Sequence, residues 1–194
     1  MSQAVNFSAS LKAILDFTNT KASDLATPNE PLNLKAATGA ITYGAGLGQS
    51  HYGWSDEFTL AASATMAIDL YDLAIDGGAA QDDGLGRAVT TAKIKGVLVA
   101  MANATPAAGD RLQIDGGNAS TGWTSFFKNN GSATTLAAGG TIPGIELGPD
   151  GFVAFGNPSA AGYAVADTTN HILRFTNPGS TTVVFDVAFF GTNS

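Results

Sequence analysis

Cysteine is absent from all 194 residues. Disulfide staples, thiolate zinc sites and cysteine nucleophiles are excluded together. A chain without thiols also suits assembly in a reducing cytoplasm. Charge is scarce: 9 Lys and Arg stand against 16 Asp and Glu, only 13% of the chain, for a net charge of −7. Nucleic-acid backbones are held by cationic side chains, so this balance argues against a nucleic-acid partner. No apolar run approaches the ~20 residues of a membrane-spanning helix, and the first ten residues lack the basic-then-apolar order of a secretory signal. No membrane partner is expected.

What is present is 44% hydrophobic residues and 24 glycines. That composition and length fit one domain, or one domain with an extension, with a core that needs no staples. Alternation with period two, the mark of a strand with one buried face, recurs along the chain. Val183, Phe185, Val187 and Phe189 alternate with Thr182, Asp186 and Ala188, and His171, Leu173 and Phe175 alternate just before them. Between the two lies Asn177-Pro178-Gly179-Ser180, so the pair reads as a β-hairpin. Gly148-Pro149-Asp150-Gly151 is a second tight turn, joining Thr141–Leu147 to Phe152–Phe155. Ile94–Met101 reads as a strand buried on both faces or central in a sheet. With Arg111–Asp115, Met66–Leu70 and Phe58–Ala62, about eight strands fall between residues 57 and 192. Short strands separated by Gly-rich turns indicate an all-β fold, an antiparallel β-sandwich or jelly roll.

The first 56 residues differ. Phe7, Leu11, Leu15 and Phe17 fall on one side of an alternating stretch that reads as a single strand. Pro28 and Pro31 interrupt the segment after it, and Tyr43–Gly48 is flexible by composition. An apolar strand tethered in this way is a candidate partner-binding arm. It pairs either with a neighbouring molecule or with an edge of its own sandwich. Residues 1–56 are therefore separated from a sandwich domain at 57–194.

Chemistry is thinly signalled. His171 sits in a strand and reads as packed. His51 follows Ser50, but adjacency in sequence builds no triad, and the nucleophile-elbow spacing is broken at Tyr52. Gly44, Gly46 and Gly48 miss the spacing of a nucleotide loop. Acids gather at Asp76, Asp82 and Asp83 without the EF-hand spacing, as solvated turns do. No catalytic, metal or cofactor site is expected. Trp54 and Trp123 are candidate surface aromatics, able to stack on a sugar if they face solvent, though core or subunit contact is the commoner fate of such residues.

Phe58–Thr65, Ile68–Leu70, Lys93–Val99, Leu147–Phe152, Gly162–Val165, Leu173–Asn177 and Val183–Gly191 resemble a group of small virion proteins of tailed bacteriophages. Leu25–Pro28, ahead of Leu32 and Leu34, is similar to their N-terminal lead-in. The resemblance implies a capsid cement or decoration protein: a non-enzymatic β-sandwich coating the shell, with arms that reach neighbours. Its partners would be the major capsid protein and copies of itself, as a dimer or trimer. Its place would be the virion surface, after assembly in a bacterial cytoplasm. A fibre- or tail-associated carbohydrate-binding module is the alternative. No functional residue carries over from the family.

Overall fold

A computed structural model describes residues 8–11, 14–20, 29–35, 39–83, 86–117, 120–127, 144–157 and 159–193. Among them there is no helix. The N-terminal strands form two small ladders. β1 (Ser8–Leu11) pairs antiparallel with β4 (Gly39–Tyr43), and β4 pairs parallel with β5 (Gln49–Ser50). β2 (Ile14–Thr20) pairs antiparallel with β3 (Asn29–Lys35). The single alternating strand expected across residues 7–17 is thus two strands with different partners. Alternation records which residues share a side, not whether one ladder runs unbroken.

Eight strands make the sandwich: β6 (Tyr52–Leu60), β7 (Thr65–Asp69), β8 (Lys93–Met101), β9 (Leu112–Asp115), β10 (Ile145–Leu147), β11 (Phe152–Gly156), β13 (Ile172–Thr176) and β14 (Val183–Thr192). A two-residue strand, β12 (Tyr163–Ala164), flanks β8. One sheet runs β11-β8-β14-β6 and the other β10-β9-β13-β7. Every one of these pairings is antiparallel. In chain order the first strand pairs with the eighth, the second with the seventh, the third with the sixth and the fourth with the fifth. That is a long antiparallel ribbon wrapped on itself, the winding of a jelly roll.

The winding corrects one expectation. β13 and β14 are not a hairpin; they lie in opposite sheets, and Asn177–Ser180 arches across the core. Leu173, Phe175, Val183 and Phe185 all point inward because the two strands face each other, with the Phe175 and Phe185 rings 5.1 Å apart. A hairpin and an arch leave the same alternation in the sequence, since both put odd positions on the buried side. Gly148–Gly151 likewise carries the chain from β10 in one sheet to β11 in the other.

Asn177 decides the arch. It is fully buried, and its Nδ2 donates to the carbonyls of Leu60, Ala61 and Thr181 at 3.1, 3.0 and 2.7 Å. Its Oδ1 accepts from Gly179 N, and its own N–H donates to Ala64 O. The neighbouring corner from β6 to β7, where Ser63 takes a positive φ of 59°, is therefore held by the same amide. Unmet backbone carbonyls at a buried corner would cost about 1–3 kcal/mol each, so one side chain meeting three of them is strongly favoured.

The core lies between the sheets and is built from the expected alternating positions. Val183, Phe185, Val187 and Phe189 are buried, opposite Ile68, Leu173, Phe175, Leu112 and Ile114 of the other sheet. Trp54 stacks on Phe189 with centroids 5.4 Å apart.

Candidate functional site

The outward faces of the two sheets are made of different residues. On β11-β8-β14-β6, the register lines up Phe152–Ala100–Asp186–Glu57, then Ala154–Leu98–Ala188–Ser55, then Gly156–Gly96–Phe190–Gly53. Phe152 is 68% exposed and Leu98 38%; with Leu47 they are the large exposed apolar side chains among the described residues. The Phe190 ring lies over Gly96, where a Cβ would come within 2.1 Å of it. Leu98, Ala188, Ser55, Glu57 and Asp186 line a shallow depression of about 260 Å³. β8 is the central strand expected, and it is buried on both faces over Ile94–Val97 but not beyond. Its odd positions Val97 and Val99 enter the core and Leu98 points out.

On β10-β9-β13-β7 the rows are Glu146–Gln113–Thr176–Thr65 and Asp115–Arg174–Ala67. Arg174 holds Asp115 through two bonds, Nε to Oδ1 at 2.9 Å and Nη2 to Oδ2 at 3.0 Å, and Asp115 Oδ1 also accepts from Gly117 N. Arg111 pairs with Glu146 at 2.7 Å in the open. This face is polar and its charges are matched.

The residues suggested by the sequence are scattered over the fold. Phe7 lies outside the described residues. Leu11 sits at the end of β1 opposite Gly39, Leu15 is opposite Leu34 in the β2–β3 ladder, and Phe17 is opposite Leu32. Trp54 and Trp123 are not surface aromatics. Trp54 is 8% exposed and Trp123 is fully buried. Trp54 opposes Phe189 on the inward face of β6. Trp123 donates its Nε1–H to Ala164 O at 3.0 Å and is packed by Phe126, Phe127, Phe155 and Tyr163. Core contact, the commoner fate of such residues, is the one observed, and a large ring with one satisfied donor is what a core end accommodates. Neither tryptophan offers a face to a sugar.

The histidines and the acids around β7 are engaged in holding the fold. His171 is buried with Nδ1 2.8 Å from the Asp69 carboxylate, although neither ring nitrogen has a partner of hydrogen-bonding geometry. His51 Nδ1 accepts from Asn193 N at 3.2 Å, and Arg87 ties Asp83 to the His51 carbonyl. Asp69, Asp72 and Asp76 each accept a backbone N–H in the turns around β7, so the acidic stretch closes turns. No group of three or more His, Asp or Glu able to hold a metal ion occurs among the described residues.

Four groups among the described residues have displaced acidities, Tyr163 being pushed up by burial. Burial pushes the Tyr52 phenol up, against a smaller opposing pull from its hydrogen bond with Thr91. Burial, with Lys93 nearby, lowers Lys95, which stands at the register shift between β8 and β14 and donates to Ser159 O. Asp110 is held below the usual carboxylate range by the Thr181 hydroxyl, then by the Ala107 N–H, with Asn103 adding to it. The residues with the clearest outward role, Leu98, Phe152, Asp186 and Glu57, were not singled out by sequence. Their signal was the interruption of an apolar-and-polar alternation by apolar residues on both sides of β8 and β11.

No family model and no curated protein matches the chain. The cryo-EM atomic structure of broad bean stain virus is similar to it over 71% of this chain and 84% of that one, at 16% identity and a TM-score of 0.37. The fold stands on the strand order given above.

Proposed function

We propose that this chain is a structural, non-enzymatic virion protein: a cement or decoration protein bound to the capsid exterior of a tailed bacteriophage. It works as a small homo-oligomer, dimer or trimer, with the major capsid protein as its partner, and joins the particle in the bacterial cytoplasm. The observation that carries this reading is the broad outward sheet face bearing exposed Leu98 and Phe152. Exposed apolar area grouped on one face marks contact with another macromolecule. Jelly rolls serve both shells and binding modules, so architecture alone does not choose a role. The resemblance of the strand and turn residues to small phage virion proteins supports the shell.

A cement protein adds stability without making covalent bonds. Contacts of about 1,200–2,000 Å² each suffice when a symmetric shell repeats them and linkage raises their effective concentration. The segment ahead of β6 serves as the arm in this reading, with Leu11, Leu15 and Phe17 offered to a neighbouring sheet by strand addition. The test is co-sedimentation of the purified chain with stripped shells of its phage, followed by reconstruction of the decorated particle. Expected are saturable binding and density for a β-sandwich on the outer surface. A chain that stays in the supernatant at every salt concentration ends the proposal.

A further inference from the structure

We infer that the outward face of the β11-β8-β14-β6 sheet docks on a protein surface that is apolar at its centre and basic at one side, and that this partner is not a second copy of the chain. The inference deepens the shell-binding reading and rests on it. The three aligned rows of the face contain Phe152, Leu98, Ala100, Ala154, Ala188 and Phe190 as apolar residues. Glu57 and Asp186 are their only charged members. No Lys or Arg occurs in the three rows.

This one-sided charge selects the occupant. A contact between two copies through this face is isologous and sets the patch against itself. Whichever way the two copies turn, the rows supply no cation for the carboxylates, and buried unpaired carboxylates are strongly disfavoured. A partner with Lys or Arg opposite Glu57 and Asp186 meets them and gains electrostatic steering. Nor does a small molecule fit, because the depression is shallow and open rather than enclosing.

The opposite face serves as the internal control. Its Arg174–Asp115 and Arg111–Glu146 pairs already match charge with charge.

The experiment compares shell binding by the full-length wild type, Leu98→Ser/Phe152→Ser, Glu57→Lys/Asp186→Lys and the opposite-face variant Thr65→Lys/Gln113→Lys. Thermal melting verifies that each is folded. The apolar-face variant is expected to lose about 100-fold in affinity. The charge-reversed variant should lose at least about tenfold at low salt, with its salt dependence flattened. The opposite-face variant should bind as wild type does. Wild-type shell binding that survives both sets of face substitutions overturns the inference and leaves the shell-binding reading standing. Absence of wild-type binding removes that reading itself. Wild-type self-association in sedimentation equilibrium that disappears in Leu98→Ser/Phe152→Ser also overturns the inference, because the face then belongs to a second copy.

Discussion

The two sheets obey one rule on the inside and two different rules on the outside. Inward, both alternate apolar residues into a shared core, and their rings meet at Phe175 and Phe185. Outward, β10-β9-β13-β7 finishes in hydroxyls and matched ion pairs, as a water-facing sheet does. The other sheet finishes in Leu98, Phe152, Ala154 and Ala188, with its carboxylates gathered at the β6 side. The difference teaches that burial pattern and surface role are separate pieces of information. Alternation says which side is the core, and only the identity of the outward residues says whether the other side is finished.

The comparison can be broken at its shared centre first. Phe185→Ala removes a fully buried ring between the sheets and should cost about 3–5 kcal/mol in chemical denaturation. Both sheets should lose protection together in hydrogen exchange. A transition confined to one sheet would show that the two are not one cooperative unit.

Next, the polar face can be struck alone. Arg174→Met strips the cation from Asp115, whose side chain is 1% exposed. Because Arg174 is itself 28% exposed, the expected loss is about 2–3 kcal/mol, below the range for a wholly buried pair. Adding Asp115→Asn should recover part of it, read from the denaturation midpoint. No recovery would mean that Arg174 acts through packing.

A smaller effect comes from Asp110, which fastens the loop after β8 to Thr181 ahead of β14. Its acidity is shifted downward in the fold, so its ionised form contributes stability above its unfolded pKa of about 4. That contribution is lost as pH falls through the lower folded value. Asp110→Asn should therefore lower the melting temperature at neutral pH, and the gap from wild type should close in acid. A gap that is constant across pH would assign the effect to shape and not to charge.

The smallest effect is expected on the apolar face. Leu98→Ser/Phe152→Ser should change stability by less than about 0.5 kcal/mol, since neither side chain supports the core. A large loss would make this face structural and erase the contrast with its opposite.

Much of the architecture was legible in the chain. Val183 to Phe189 and Leu173 to Phe175 announced buried faces, and Gly-Pro turns announced strand ends. Sheet membership was not legible. Asn177–Ser180 has the composition of a hairpin turn, yet the strand beyond it pairs with β6 and β8, and what makes it an arch is a buried amide reaching Leu60, over a hundred residues away. The tryptophans stayed open between surface and core for a related reason. Trp123 stands in a Gly-, Ser- and Thr-rich stretch, and its burial depends on Phe155 and Tyr163, which arrive from other strands. The apolar face escaped notice because Leu98 strengthens the apolar run that made β8 look doubly buried.

β14 lies between β6 and β8, so the middle of one sheet is filled by the strand the chain supplies after all its neighbours. Its first residue, Val183, is in register with Leu60. Closing so wide a loop before any contact rewards it makes for slow, late-committing folding. A polypeptide interrupted anywhere before Val183 has two strands waiting for a common partner that never arrives. The outward face of that sheet is therefore completed by the segment translated last among its strands.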